Sequence, residues 1–205
     1  MMKNYSRPIR CISCEVSCQL YPDKTVRSSY CSYEVFSIWP DGNNFLKSGI
    51  IYSLLLKNKN HLLSPFVFVD FSLPNLRYFV DQEWIDYLTK TGMRIVIITD
   101  NSLIPLANYW LEKSDNIHGV IYADDDELIR DKKIKQLFMG RLVNKKRGRT
   151  LNFEEITLLN RFLSGTDIQQ AIVIDNLDEK KVYVHKFRLE KKLGHSIRNI
   201  ISHIL

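Results

Sequence analysis

Four cysteines fall within the first 31 residues of this 205-residue chain, and thiolates are ligands that zinc prefers. They are Cys11, Cys14, Cys18 and Cys31. Four thiolates can complete the tetrahedral shell of a structural Zn²⁺ ion, but these intervals of two, three and twelve residues fit no common zinc module. Free thiols are therefore the favoured interpretation and structural zinc the alternative. A disulfide is not expected in a cytosolic chain.

The residue sets that enzymes use are not visible in the sequence. Gly148 and Gly165 stand alone, so there is no glycine-rich loop to cradle a phosphate. The histidines are scattered, and no Ser/His/Asp set can be nominated. The acidic run at 124–127 could hold a cation, but acids in a row are more typical of a helix start. The sequence therefore predicts a protein that is not an enzyme and needs no cofactor.

The basic residues are concentrated at one end of an otherwise ordinary globular composition, with 45% hydrophobic and 25% charged residues. Residues 1–131 carry 13 Lys and Arg against 16 Asp and Glu, a net charge of −3. Residues 132–205 carry 16 against 7, a net charge of +9. This asymmetry predicts an acidic domain joined to one that binds nucleic acid, with a solvated basic surface as the alternative.

The predicted secondary structure that positions the acidic and basic residues differs between the first two thirds of the chain and the last third. In the first two thirds, short apolar runs alternate with helical patterns, which predicts a parallel α/β sheet. The predicted strands cover 35–39, 66–70, 95–99 and 120–122. The predicted helices cover 45–56, 76–88, 104–112 and 124–140. Residues 1–31 show no periodicity and are predicted to be a leader of uncertain order.

Beyond a basic hinge at 141–150, the pattern is entirely helical. The predicted helices cover 153–163, 167–174, 178–193 and 197–204. Asp167 and Asp178 are the predicted N-caps of the second and third of these helices. Two short helices joined by a tight turn, the second strongly basic, are typical of a helix-turn-helix, whose second helix can lie in the DNA major groove. A helical bundle with a basic solvated face is the alternative.

Particular residues of this segment form a longer motif. They are Leu151, Glu155, Leu158, Leu159, Gly165, Val182, His185, Leu189, Lys192, Leu193 and Gly194. In this arrangement, residues 151–194 resemble the LuxR-type C-terminal DNA-binding domain. The resemblance implies an all-α, four-helix domain with a recognition helix at 178–193. The sequence departs from the family pattern at Thr157, at the reversed pair Ala171 and Ile172, and at Lys181.

The same resemblance implies a DNA-contacting face on the recognition helix. Its residues are Lys180, Lys181, Tyr183, Val184, His185, Phe187, Arg188 and Lys191. By the resemblance, Tyr183, Val184 and Phe187 are expected toward the bases of double-stranded DNA. Lys181, His185 and Arg188 are expected nearer to the phosphates. His185 also falls in the apolar seam of the helix, so a role in the core is an open alternative.

Residues 70–75 read D-F-S-L-P-N, which resembles the stretch after the third strand of response-regulator receivers. Thr99 ends the next strand where receivers place Ser or Thr. Phosphorylation of a receiver needs several carboxylates and a lysine around Mg²⁺. Here Asp41 alone stands near the acidic-pair position, and residues 122–123 occupy the lysine position. The resemblance implies a degenerate receiver that lacks the second strand and binds a partner, with Asp70 a weak phospho-acceptor candidate.

Residues 66–69, 106–110 and 119–123 resemble enterobacterial fimbrial and biofilm regulators of the EcpR/MatA type, with FimW and CsgD as comparable relatives. The resemblance implies a transcription regulator of a fimbrial or adhesin operon. It also implies a homodimer, or a heterodimer with another LuxR-type regulator. A co-regulator that pairs with another response regulator and modulates its DNA binding is the alternative function.

The expected organisation follows from these patterns. A leader at 1–31 precedes a receiver-like domain at 32–140, a basic linker at 141–150 and a DNA-binding domain at 151–205. No signal peptide or membrane span is visible, so the expected location is the cytoplasm.

Overall fold

The computed structural model describes residues 9–12, 36–58, 65–143, 147–175 and 178–204. Its α/β part is built on a five-stranded sheet in chain order. The strands are β1 (Arg10–Cys11), β2 (Phe36–Trp39), β3 (Phe66–Phe71), β4 (Arg94–Thr99) and β5 (Ile117–Tyr122). Strands β2 to β5 are parallel, which confirms the predicted parallel α/β sheet.

The edge strand β1 was not predicted. Arg10 pairs with Ile38 and Cys11 with Ser37, antiparallel, and the next residue, Ile12, is fully buried. A doubly wound fold of the receiver type places its second strand at this edge, in the order 2-1-3-4-5. The described residues between β2 and β3 contain no such strand, and β1 instead covers the backbone groups that β2 would leave unpaired. Cys14, Cys18 and Cys31 lie outside the described residues.

Helices cover both faces of the sheet. Helix α1 begins as Asn44–Gly49, continues through a π-helical segment at Ile50–Leu55 and ends with Leu56–Asn58. The other helices of this part are α2 (Glu83–Thr89), α3 (Ile104–Lys113) and α4 (Glu127–Phe138). Strand residues alternate between the faces: Phe66 and Phe68 pack with α1 and α4, whereas Val67 and Val69 pack with α2 and α3.

The predicted helix at 76–88 is wrong as a continuous element, although its apolar face is buried as expected. The chain forms a 3₁₀ segment at Leu73–Tyr78, and α2 begins at Glu83. The indole Nε1 of Trp110 donates to the carbonyl of Phe79 at 2.7 Å, so that carbonyl serves a tertiary hydrogen bond. The Asp81 carboxylate then accepts from the amide of Glu83 at 3.2 Å and starts the new helix.

Four helices form the C-terminal part, as predicted. They are α5 (Phe153–Leu163), α6 (Ile168–Asp175), α7 (Glu179–Leu193) and α8 (Ile197–Ile204). The carboxylate of Asp167 accepts from the amide of Gln170, and that of Asp178 from the amide of Lys180, which confirms both predicted N-caps. Gly194 ends α7 at φ 73°, a left-handed conformation that glycine adopts without strain.

The helical part packs directly on the α/β part. Helix α8 lies against the 3₁₀ segment at 73–78. One buried apolar cluster contains both Trp110 of α3 and Ile156 of α5. At the rim of this contact, the Ser102 hydroxyl and Nε2 of His195 are 3.1 Å apart. Among the described helices, none has the length and apolar character needed to cross a membrane.

Candidate nucleic-acid interface

One side of α7 is exposed to solvent along the length of the helix. Lys180, Lys181, Tyr183, Val184, Phe187, Arg188 and Lys191 are all exposed. Three of them are large apolar or aromatic side chains, with exposures of 48% for Tyr183, 46% for Val184 and 65% for Phe187. Burial normally removes such side chains from water, so three of them together on one helix face indicate a binding surface.

The cations on this side of α7 differ in their ion pairing from Lys186 and Lys192 of the same helix. Within the described part of the chain, Lys180, Lys181, Arg188 and Lys191 form no ion pair. Lys186, by contrast, pairs with Glu190 at 2.9 Å on the same helix. The exposed side of α7 therefore carries four uncompensated positive charges, which favours an anionic partner.

The opposite side of α7 packs into the helical core. Val182, Leu189 and Leu193 are buried at helical spacing. His185 continues this seam: it is half-buried, and its Nδ1 atom is shielded from solvent with no hydrogen-bond partner among the described residues. Of the eight predicted contact residues, His185 is thus the one that the geometry places in the core seam.

A buried ion pair fixes α7 against the start of α5. Nζ of Lys192 lies 2.7 Å from Oε2 of Glu155 and donates to the carbonyl of Thr150 at 2.9 Å. Glu155 is fully buried, and with Asn152 it forms a capping box in which each side chain accepts from the other residue's amide. Lys192 therefore positions α7, and its charge is already neutralised by Glu155.

The exposed side of α7 borders a shallow groove of about 730 Å³. The groove is lined by Arg149, Asn152, Glu155, Tyr183, Val184, Phe187, Arg188, Lys191 and Lys192. Sequence analysis missed Arg149 as a site residue and assigned it only to a basic hinge. Its position in the groove depends on how the connecting segment folds back, and sequence spacing carries no signal for that.

The predicted phospho-acceptor Asp70 lies near the end of β3 and is only 4% exposed. Nδ2 of Asn43 donates to its Oδ2 at 3.1 Å. Asp41 lines the same surface cavity, of about 400 Å³, and none of its described lining residues is a lysine or an arginine. No group of three His, Cys, Asp or Glu residues able to hold a metal occurs within the described ranges. Phosphorylation of Asp70 stays a prediction.

Burial raises the pKa of Asp70, because desolvation of the carboxylate outweighs the hydrogen bonds from Ser72, Asn43 and Asn75 that lower it. The folded chain thus holds the Asp70 proton more tightly than the unfolded chain does. This contribution to stability is fully present below the unfolded pKa, about 4, and is lost as the pH rises through the folded pKa.

Asp70→Asn is therefore expected to raise Tm at pH 7, because it removes the buried charge and keeps an oxygen that can accept from Asn43. The gain should shrink as the pH falls through the folded pKa of Asp70, because the aspartate then takes up a proton and loses its charge. Calorimetry of both proteins between pH 4 and pH 8 measures this, with the exposed Asp115→Asn as the control. A lower Tm for Asp70→Asn at pH 7 would show that the site requires a charged carboxylate.

The chain has clear relatives among known proteins. The family model described as the EcpR N-terminal domain matches residues 10–138. The chain is also 37% identical over 194 residues to the uncharacterized protein YqeH of Escherichia coli K12, covering 95% of this chain and 92% of that protein.

Two solved structures of RcsB with DNA align with the chain at lower similarity. The structure of two RcsB dimers bound to two parallel DNAs aligns with a TM-score of 0.41, and the RcsB–DNA complex with 0.39. Both are 19% identical and cover 74% of this chain and 81% of the RcsB chain. The matched family model spans the sheet and all the helices that flank it. On that match and the near full-length identity to YqeH, the chain belongs to the family of proteins with an EcpR N-terminal domain.

Proposed function

We propose that this chain is a DNA-binding transcription regulator and that α7 enters the major groove of double-stranded DNA. The observation that carries the proposal is the exposed side of α7, where four cations that pair with no described acidic residue surround Tyr183, Val184 and Phe187. An α-helix fits the width of the major groove, and the helix-turn-helix places its second helix there.

The chemistry of this surface matches the two kinds of contact that such proteins make. Lys and Arg neutralise phosphates and release counterions, which supplies sequence-independent affinity. Apolar side chains can contact the thymine methyl group at the base edges in the major groove. Tyr183, Val184 and Phe187 are the proposed base contacts, and the cations beside them are the proposed phosphate contacts. His185 is proposed as a packing residue, because it lies in the seam with Val182.

Replacing both Lys181 and Arg188 with alanine is expected to weaken DNA binding on every sequence. Two lost phosphate contacts should reduce the slope of log K against log salt by about 2. Fluorescence anisotropy between 50 and 300 mM salt measures that slope. The charge-matched control is Lys90→Ala with Lys186→Ala, because Lys90 is exposed on the α/β part and Lys186 is paired with Glu190.

Two outcomes would count against the proposal. If the wild-type protein binds no DNA duplex at 50 mM salt, the proposed function is wrong. A control pair that lowers the salt slope as much as the test pair would show that only total charge matters.

The proposed target is a fimbrial or adhesin operon. Membership of the EcpR N-terminal domain family supports this choice, together with the resemblance to fimbrial regulators at 66–69, 106–110 and 119–123. A footprint on fimbrial promoters, followed by a reporter assay in a deletion strain, tests it. Dimeric binding predicts two half-sites about one helical turn apart, or a multiple of that spacing.

A co-regulator is the second candidate function. In this case the chain pairs with another response regulator and modulates its DNA binding. Exposed apolar side chains on the α/β part favour it, because Phe45 is 93% exposed and Leu128 is 84% exposed. DNA binding that occurs only after a partner receiver is added would support this function over the first.

A further inference from the structure

Residues 147–151, called the connecting segment here, lead from the α/β part into helix α5. A buried side chain of the α/β part forms hydrogen bonds to this segment. Asn108 on α3 is fully buried. Its Nδ2 donates to the carbonyl of Arg147 at 2.7 Å and to that of Arg149 at 2.9 Å. The hydroxyl of Tyr122, at the end of β5, donates to its Oδ1 at 3.3 Å. One amide thus connects the end of the sheet to the backbone on both sides of Gly148.

Other contacts tie the same segment to α3. The amide of Leu151 donates to the carbonyl of Pro105 at 3.0 Å. The hydroxyl of Thr150 donates to Oε1 of Glu112 at 3.3 Å. Residues 147–151 therefore follow α3, and Arg149 has a fixed backbone position.

The two arginines of this segment have different surroundings. The guanidinium of Arg147 pairs with Asp124 at 2.5 Å and lies 5.7 Å from the centre of the Tyr122 ring. The side chain of Arg149 is exposed, lines the groove beside Arg188 and Lys191, and forms no ion pair with any residue that the structure describes.

We propose that Arg149 binds a DNA phosphate beside the recognition helix, and that Asn108 is a positioning residue through which the α/β part sets this contact. The inference rests on the proposed DNA-binding function and adds a contact from outside the helix-turn-helix. The groove places the Arg149 guanidinium on the same surface as two proposed phosphate contacts of α7. Arginine presents several N–H donors in a fixed fork that suits a phosphate group.

The role of Asn108 follows from the entropy of the connecting segment. A free segment would spread Arg149 over many positions, and DNA binding would then have to order it. Two hydrogen bonds from a buried amide remove most of that freedom before DNA arrives. Restricting a group to its bound position raises affinity because less order is lost on binding.

The first arm of the experiment measures the Arg149 contact in the full chain. Arg149→Ala is expected to weaken binding of a 20-base-pair duplex about tenfold at 0.1 M salt and to reduce the salt slope by about 1. Lys90→Ala removes the same charge from the exposed surface of the α/β part and is expected to leave the slope unchanged.

The second arm is a double-mutant cycle with Asn108→Ala. Asn108 is buried and cannot touch DNA, yet its loss should weaken binding and lower the salt slope as Arg149→Ala does. The double variant should bind no more weakly than Arg149→Ala alone, because both changes remove the same contact. Trp84→Phe is the control for altered packing in the α/β part, since Trp84 is fully buried and its ring packs on Trp39, Phe79 and Trp110.

Trypsin cleavage reports the Asn108 contact without any DNA. Cleavage after Arg147 and Arg149 should be faster in Asn108→Ala than in wild type or Trp84→Phe. If Asn108→Ala is too unstable to purify, Asn108→Ser is used instead, because it keeps a hydroxyl at the site. The same double-mutant cycle with Arg149→Ala is then measured.

The outcomes separate this inference from the function on which it rests. If wild-type protein binds no DNA, the proposed function fails, and the phosphate contact of Arg149 fails with it. If wild type binds but Arg149→Ala leaves the salt slope unchanged, only this inference is overturned. It is also overturned if the losses of DNA affinity from Arg149→Ala and Asn108→Ala add in the double variant. The same holds if Asn108→Ala does not change the rate of trypsin cleavage.

Discussion

Replacing Lys192 with methionine is expected to lower the free energy of unfolding by about 3–5 kcal/mol, because the buried carboxylate of Glu155 is left without a counter-ion. The Glu155 side chain is 1% exposed, so its carboxylate depends on the ammonium group of Lys192 for neutralisation. Its Oε1 atom is already without a hydrogen-bond partner among the described residues. Methionine is close to lysine in length, so the loss reflects charge more than packing. Urea unfolding followed by circular dichroism measures it.

The double variant Glu155→Gln with Lys192→Met separates charge from structure. Glutamine can still accept from the Asn152 amide and so keeps the capping box. We expect the double variant to be more stable than Lys192→Met alone by at least about 1 kcal/mol, because the unpaired charge is gone. A double variant less stable than both singles would show that the pair contributes through its geometry rather than through neutralisation.

Replacing Trp84 with alanine is expected to cost about 3–5 kcal/mol, the usual range for a large aromatic side chain in a closed core. Trp84 is fully buried at the centre of an aromatic cluster. Its ring stacks on Trp39 at 6.4 Å between centroids, and it meets Phe79 at 5.4 Å and Trp110 at 6.1 Å, both edge to face. Rigid neighbours of this kind cannot move into the space that alanine would leave. Urea unfolding gives the change in stability.

Trp84→Phe is the matched control for that cavity. The indole Nε1 of Trp84 is buried and has no hydrogen-bond partner within the described ranges. Phenylalanine removes this unsatisfied donor and fills most of the space. The free energy of unfolding should therefore fall by only about 1 kcal/mol. If phenylalanine proved as costly as alanine, the indole N–H would have to be satisfied by a group such as a bound water.

Sequence patterns predicted the sheet because its strands are buried on both faces. The runs at 66–70 and 95–99 are apolar throughout, and they differ from the observed strands by one residue each. The four C-terminal helices were predicted because caps such as Asp178 mark their starts and Gly194 marks an end. A helix or strand can therefore be predicted from local sequence alone where its own residues mark its start and its end.

The features that sequence analysis missed depend on contacts between distant segments. Strand β1 has two residues, too few for any periodicity, and it exists because the edge of β2 is available. The helix predicted at 76–88 is interrupted because Trp110, 31 residues away, takes the carbonyl of Phe79. Arg149 was predicted as part of a hinge, and only the hydrogen bonds from Asn108 reveal its fixed position beside α7.

The apolar cluster shared by the sheet and the helical part links the two parts energetically. Because Trp110 and Ile156 belong to the same cluster, neither part can unfold without exposing apolar surface of the other. Under the proposed function, DNA is then a ligand of the folded chain as a whole. At a DNA concentration of 100 Kd, mass action would stabilise the sheet together with the recognition helix by about 2.7 kcal/mol. A substitution such as Trp84→Ala, far from the groove, would accordingly lower promoter occupancy by depleting the folded population.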